Sequence, residues 1–360
     1  MIRTYKRKLI LTKSQEERIS SWIGACRVVY NMGLEIRKKH YEATNKTIHK
    51  YSLMKQLTDI KDIKWIRDVP NDSLQLSIER LDRAYKTFFK TFRTGGGFPK
   101  YAKKHSYKSI SFRSVAINGE YAKLRKISVR MRKDAEMTGI PKTAVIVKEP
   151  TGYFICIQCE VTHKKFESEN QAIGLDMGLS HFCIDSTGNF IPNPKHFKKY
   201  EKQLRIENRT LSRKKKGSKR WKKQAKRLAL LHHKIGNVRR DFLHKESTKI
   251  AKANSIVYME DLNINGMTRN KHLSKQILDC GWGTFRTMLE YKTQVIRINP
   301  KYTSQTCNEC GEKDKKSRIS QAEFVCTSCG HVSNADVNAA KNILRKGIAL
   351  NRQRETLVCA

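Results

Sequence analysis

Apolar and basic residues alternate from Lys6 to Leu11, the period of a short strand. The period then changes. Thr12 followed three residues later by Gln15 is the capping-box arrangement, which predicts a helix start. Ile19, Trp22, Ile23, Cys26, Val29 and Tyr30 fall on one face of that helix. A second helical segment begins near Ser52. A third follows the turn Pro70-Asn71-Asp72-Ser73 and carries Leu74, Ile78, Leu81, Tyr85 and Phe88 as its stripe. Gly95-Gly96-Gly97 ends the helical region. From about Tyr107 to Val161 the period returns to two. Ser109–Arg113, Lys126–Arg130 and Thr143–Val147 read as strands, and Glu149-Pro150-Thr151-Gly152 is a turn before a strand at Tyr153–Val161. Strands with basic outer faces predict a small antiparallel barrel. Arg113, Arg125, Arg130, Arg132 and Lys133 lie on or beside it, as a solvated face or as a contact for a polyanion.

Lys164 to Asn170 is polar and reads as a linker. A new pattern follows: a strand at 172–176, a strand at 181–185, a turn at Thr187-Gly188-Asn189 and a short third strand. Two long helices are predicted at 195–213 and 218–253, joined around Lys214 to Gly217. Leu228, Leu231, Ile235, Val238 and Phe242 repeat at spacings of three and four, so one face packs. The opposite face is dense in Lys and Arg. It is nearly one-signed, so opposite-charge support along the helix is mostly missing and a nucleic-acid-facing helix is expected. A strand at Ser255–Glu260, a helical stretch to about Tyr291 and a strand at Gln294–Ile298 complete the run.

Composition sharpens this. The chain has 360 residues, enough for two or three domains, with 74 Lys+Arg against 33 Asp+Glu and a formal net charge of +41. Self-repulsion at that charge is severe unless a polyanion neutralises it. Nucleic acid rewards such a surface through its phosphates and condensed counterions. No stretch approaches the ~20 apolar residues of a membrane span, and Met1 to Leu11 lacks the continuous apolar region of a signal peptide. Four of the ten cysteines cluster and the rest are scattered, which is not a secreted disulfide framework. A cytoplasmic, nucleoid-associated location is expected.

Three acids stand in three fitting contexts. Asp176 ends the apolar run of Ala172-Ile-Gly-Leu-Asp, Glu260 ends Ser255-Ile-Val-Tyr-Met-Glu, and Asp336 opens an alanine-rich helix. Strand ends and helix starts are where an α/β sheet presents polar chemistry. The order meander, helix, strand, helix, strand, helix is that of a ribonuclease-H-like fold, whose first and fourth strands are neighbours. Asp176 and Glu260 then converge, and Asp336 enters from the last helix. A lone Asp at a strand end is more often a cap, and Asp185, Asp261 and Asp279 are rivals. Three converging carboxylates suit Mg²⁺, a hard cation that prefers oxygen ligands. Two such cations hold the attacking and leaving oxygens of a phosphodiester, so the pattern reads as a nuclease.

Cys307-Asn-Glu-Cys310 and Cys326-Thr-Ser-Cys329 are separated by fifteen residues, each pair followed by Gly. This spacing predicts a structural four-thiolate Zn²⁺ site. It would be a ribbon inserted between the last strand and Asp336. Cys156-Ile-Gln-Cys159 has the same spacing but lies in an alternating strand. Its sulfurs should face opposite ways, as packing rather than metal or redox chemistry. Cys26, Cys183, Cys280 and Cys359 carry no motif.

Together these residues resemble the TnpB (OrfB) family of transposon-encoded proteins, relatives of type V CRISPR effectors. Ala25-Cys-Arg-Val-Val-Tyr-Asn31 is its N-terminal mark. Phe98-Pro-Lys-Tyr101 with Ser111-Phe-Arg113 is a second signature, and Ser304-Gln-Thr-Cys307 through Cys329-Gly into Asp336-Val-Asn-Ala-Ala340 is the most specific. The resemblance implies an α/β fold with a wedge barrel at 1–11 and 95–166 and a helical recognition insertion at 12–94. It implies a RuvC nuclease core at 171–300 with its final helix at 334–350, a zinc ribbon at 301–333 and a tail at 351–360. It assigns Asp176, Glu260 and Asp336 as the catalytic, Mg²⁺-holding acids and Cys307, Cys310, Cys326 and Cys329 as the Zn²⁺ ligands. It also implies a guide RNA from the transposon end, a double-stranded DNA target and a short target-adjacent motif. One departure is visible: Ala335 stands where family members often carry arginine. A guided regulator that binds without cutting, and a DNA-joining transposase of the DDE type, are the competing expectations. So is a non-catalytic RNA-binding zinc-ribbon protein.

Overall fold

The change of period at Leu11 is realised as a strand running into a long helix. A computed structural model describes residues 2–56, 63–134, 136–162 and 170–358. The chain divides into two units, Met1–His163 and Lys164–Ala360. In the first, β1 (Ile2–Ile10) precedes α1 (Lys13–Thr44). The capping box forms as expected. Thr12 Oγ1 accepts from the Gln15 N–H at 3.3 Å, and Gln15 Oε1 accepts from the Thr12 N–H at 3.1 Å. The helix ends at Asn45, whose φ of 52° is the left-handed cap conformation. Then come α2 (Lys50–Gln56), α3 (Lys64–Arg67) and α4 (Asn71–Thr91). The turn predicted at Pro70–Ser73 is the opening of α4 itself, because the Pro70 carbonyl accepts from the N–H groups of Ser73 and Leu74. The stripes of α1 and α4 pack into one core around Trp22, Leu34, Ile78 and Leu81.

Six further strands follow: β2 (Ser109–Phe112), β3 (Ala116–Asn118), β4 (Tyr121–Leu124), β5 (Ile127–Met131), β6 (Ile140–Glu149) and β7 (Gly152–Glu160). They pair antiparallel in the order β2-β6-β7-β1-β5-β4-β3. Residues 2–8 of β1 pair with β7 while Leu9 and Ile10 pair with β5, so β1 joins two half-sheets. The barrel read from the sequence is thus a seven-stranded ladder with β2 and β3 at its ends. No ladder closes those ends among the described residues. The β3–β4 hairpin turns at Gly119, φ 55°. Arg113, Arg125, Arg130, Arg132 and Lys133 are all exposed. Cys159 is buried and Cys156 half-buried, on alternate positions of β7 as expected.

Of the linker expected at Lys164–Asn170, all but the last residue lies outside the described residues, as does Cys359. Asn170 opens β8 (Asn170–Met177) of the second unit. β9 (His181–Asp185) and β10 (Phe190–Pro192) complete the meander. α5 (His196–Ser212) and α6 (Lys219–Ala253) follow, then β11 (Asn254–Glu260). Next come α7 (Ile264–Met267), α8 (Ser274–Cys280), α9 (Trp282–Glu290) and β12 (Gln294–Ile298). β13 (Glu323–Val325), β14 (Val332–Asn334) and α10 (Ala335–Val358) end the chain. The single helical stretch expected before Tyr291 is broken into three, with Gly281 at φ 70° between α8 and α9. α10 passes the expected end at 350, since no Gly or Pro interrupts 351–358.

The sheet order is β10-β9-β8-β11-β12, with β8, β11 and β12 mutually parallel and β9 and β10 antiparallel. Neighbouring β8 and β11 is the adjacency expected from the sequence. Alternation sorts the two faces. Ile173, Leu175, Met177, Val257 and Met259 pack with Leu243, Phe285 and Leu289 of α6 and α9. Tyr258, Ile296 and Ile298 pack with Ile343 of α10 on the other face. A separate small core of Leu204, Leu231 and Ile235 binds α5 to α6. Val238, expected in the α6 stripe, is 37% exposed where the helix passes from that core to the sheet core. Among the described residues no helix is long and apolar enough to cross a membrane.

Candidate active site and zinc cluster

Glu260 ends β11 and Asp176 is the penultimate residue of the parallel neighbour β8, each one position beyond the Leu175–Met259 pair. Leu175 and Met259 face α6 and α9, so the next residues face the α10 side. Asp336 arrives there from the first turn of α10. The helix comes close because small residues line the seam. Ala339 and Ala340 are buried on α10. A Cβ added to Gly174 of β8 would lie 2.3 Å from the Ala340 carbonyl, and one on Gly347 would lie 2.1 Å from the Tyr258 ring. Asn334 caps α10, its Oδ1 accepting from the N–H groups of Asp336 at 3.0 Å and Val337 at 3.2 Å. All three acids line one cleft of about 300 Å³, with Thr303, Arg318 and Gln321.

The cluster is electrostatically loaded. Burial, then the charges of Glu260 and Asp336, push the Asp176 carboxyl up to about 7, against the opposing pull of Arg318. Burial also raises Glu260, offset by a hydrogen bond from the Thr303 hydroxyl and by the charge of Lys346. Arg318 Nη2 sits 3.0 Å from Asp336 Oδ1 and donates to the Gln321 carbonyl. An all-oxygen donor set of three carboxylates, only partly offset by Arg318 and Lys346, fits a hard divalent cation.

The rival acids are used elsewhere. Asp185 accepts from the backbone N–H groups of Thr187 and Asn189, closing the meander turn. Asp261 pairs with Arg297 at 3.0 Å and Arg286 at 3.4 Å. Asp279 takes Arg239 at 2.7 Å and accepts from the Phe197 N–H at the start of α5. Sequence reasoning missed Thr303 and Arg318, which no motif singles out. It missed Asn338 and Asn342 too, although Asn338 lies inside the Asp336–Ala340 motif.

The four cysteine sulfurs lie within 4.8 Å of one another. Cys307 Sγ is 3.8 Å from Cys329 Sγ, and Cys310 Sγ is 3.6 Å from Cys326 Sγ. A tetrahedron with Zn–S bonds of about 2.3 Å has edges of about 3.8 Å, so the set fits zinc. Both pairs fold alike. The Gly311 N–H donates to the Cys307 carbonyl and the Gly330 N–H to the Cys326 carbonyl, with both glycines at positive φ, 82° and 73°. The Cys329 N–H donates to the Cys326 sulfur at 3.5 Å, a contact that favours the thiolate a metal needs. Ala335 is fully buried with Cys307, Phe324 and Cys326. Position 335 therefore packs the cysteine cluster against α10, and Arg318 brings a guanidinium to the cleft.

A protein of Escherichia coli strain K12, provisionally named RNA-guided DNA endonuclease InsQ, is 33% identical over 377 residues. The match spans 97% of this chain and 93% of that protein. The chain belongs to the TnpB (OrfB) family. A Streptomyces pristinaespiralis protein with the same provisional activity name is 30% identical over 364 residues, spanning 96% and 90%. The OrfB profile described as "Probable transposase" matches residues 154–271, and the Cas12f1-like TNB domain profile matches 282–343. A helix-turn-helix profile matches 1–46, which here are β1 and the single helix α1. Among solved structures, a Cas12f1 complex with single guide RNA and target DNA aligns with a TM-score of 0.56. Identity is 13%, over 93% of this chain and 83% of that one. That likeness is one of fold: Cas12-like, with mixed sheets.

Proposed function

We propose that this chain is an RNA-guided DNA endonuclease of a transposable element. The second unit would be its ribonuclease-H-like RuvC nuclease with an inserted zinc ribbon, and the first would be its wedge and recognition parts. The observation that carries the nuclease reading is the convergence of Asp176, Glu260 and Asp336 in one cleft, where burial and mutual repulsion load Asp176. The relatives' names and the +41 charge support the RNA and DNA partners.

Asp176, Glu260 and Asp336 would hold Mg²⁺, in two ions on this reading. When bound, the cations supply positive charge at the scissile phosphate and lower the pKa of the attacking water. The chain's own residues do the rest. The carboxylates must be ionised, so Asp176 gives up its proton on loading. Thr303 holds Glu260 by a hydrogen bond, and Arg318 keeps a fixed positive charge beside Asp336. Cys307, Cys310, Cys326 and Cys329 would hold Zn²⁺, fixing the loop that leads into Asp336.

The test is co-expression with RNA from the gene's own downstream flank. The copurified RNA is sequenced, and the complex is incubated with Mg²⁺ and a plasmid library randomised beside the target. Cleavage beside one enriched motif, lost in Asp176→Ala, is expected. Target binding without cleavage in either protein would instead favour the regulator, and rejoined strands would favour the transposase. Failure to recover any specific RNA would refute the guided reading.

A further inference from the structure

Residues four apart on a helix share a face. On α10 three such residues, Asn338, Asn342 and Lys346, hold the loop that follows β12. Asn338 Nδ2 donates to the Thr306 carbonyl at 2.8 Å, and its Oδ1 accepts from the Asn308 N–H at 2.9 Å. One amide thus grips the backbone on both sides of Cys307. Asn342 Nδ2 donates to the carbonyls of Thr306 at 2.6 Å and Thr303 at 3.0 Å. Lys346 Nζ donates to the Lys301 carbonyl at 2.7 Å. The two asparagines are fully buried. Burying an amide costs free energy unless its bonds are met, and Asn342 Oδ1 finds no partner among the described residues, so apolar residues would serve packing alone at least as well.

The gripped loop carries Tyr302 at φ 68°, a conformation that non-glycine residues adopt only when their surroundings impose it. The next residue, Thr303, is buried, and its hydroxyl lies within reach of Glu260 Oε1 and the Pro300 carbonyl. A hydroxyl has one proton to give, and the ionised carboxylate is the stronger acceptor.

We infer that Asn338, Asn342 and Lys346 are positioning residues for Glu260, acting through the loop they clamp and the Thr303 hydroxyl. The inference rests on the metal-holding role proposed above for the acids. The clamp fixes the rotamer of Glu260 from α10, the same helix that delivers Asp336. Two of the three acids are thereby tied to one rigid element.

The experiment measures Mn²⁺ binding by titration calorimetry on the zinc-loaded full chain. It adds melting temperature, and cleavage against Mn²⁺ concentration for the guide-RNA complex. Thr303→Val removes the hydroxyl at nearly constant volume, Asn342→Leu removes two grips, and Thr303→Ser restores the hydroxyl. Thr303→Ala stands in if the valine variant does not fold. Outer-shell partners of metal ligands typically carry about 10–100-fold in affinity or activity. A loss of that order in Mn²⁺ affinity is expected for Thr303→Val and Asn342→Leu. An equal shift in the half-maximal Mn²⁺ concentration, unchanged target binding and recovery in Thr303→Ser are expected with it. Wild-type Mn²⁺ affinity in a folded Thr303→Val chain overturns the inference. Wild-type affinity in Asp176→Ala overturns the metal reading of the cleft, and the inference with it.

Discussion

Raising the pH of Mg²⁺-free chain from 5 to 8 is expected to cost stability through Asp176. Burial and the neighbouring carboxylates raise this group from its ordinary value of 3.8 to about 7. Between those values the folded chain keeps a proton that the unfolded chain has released. Stability therefore falls as pH rises through the window and levels off above about pH 7. Each unit of difference is worth about 1.36 kcal/mol, so the whole window holds about 4 kcal/mol and the part above pH 5 about 3 kcal/mol. Asp176→Asn cannot ionise and lacks the slope. The assay is urea denaturation of both proteins at pH 5, 6, 7 and 8, with stoichiometric zinc supplied and no other divalent cation. The variant's stability relative to the native chain should rise by about 3 kcal/mol across the series. Millimolar Mn²⁺ at pH 8 should then stabilise the native chain selectively, by mass action on the folded state. A difference independent of pH would refute the reasoning. It would mean that Asp176 ionises at its ordinary value and that the three acids do not burden one another.

Three further outcomes are expected. One zinc per native chain and none in Cys326→Ser, measured with a chromophoric chelator, would match the four-sulfur geometry; zinc retained by the variant would contradict it. Arg318→Ala removes a charge that holds Asp176 down, so the acidic limb of the cleavage pH profile should move to higher pH, and an unmoved limb would dissociate Arg318 from the cluster. Gly174→Ala forces a methyl to within 2.3 Å of the Ala340 carbonyl and should cost about 1–3 kcal/mol in urea denaturation, with an unchanged midpoint counting against the close seat of α10.

Local signals carried the helices well. α5 and α6 start and stop within one residue of the ends read from periodicity and the Lys214–Gly217 break. The Thr12 cap was legible because a capping box is a contact between residues three apart. The β3–β4 hairpin was missed although Asn118-Gly119 is a strong hairpin signal, because its strands have only three and four residues. The three-way break before Tyr291 was missed because an isolated glycine lowers helix propensity without saying where its neighbours will pack.

The site divides along the same line. The convergence of Asp176 and Glu260 was legible because each ends an apolar run whose alternation states which face its last residue takes. The partners of the rivals Asp261 and Asp279 come only from tertiary contacts. Asp261 meets Arg286 and Arg297, 25 and 36 positions on, and Asp279 meets Arg239, 40 positions back. Arg318 was invisible for the opposite reason: in a chain with 74 Lys and Arg, nothing local marks a residue whose guanidinium turns into the cleft. Asn338 and Asn342 lie between these cases. A polar residue repeated at spacing four among Ala339, Ala340 and Ile343 contradicts the apolar face expected of a helix on a sheet. Such a contradiction needs a buried partner for each amide. The sequence thus marks both amides as needing buried partners, but those partners, the backbone of Thr303, Thr306 and Asn308, lie 30 to 39 positions back and only the fold brings them together.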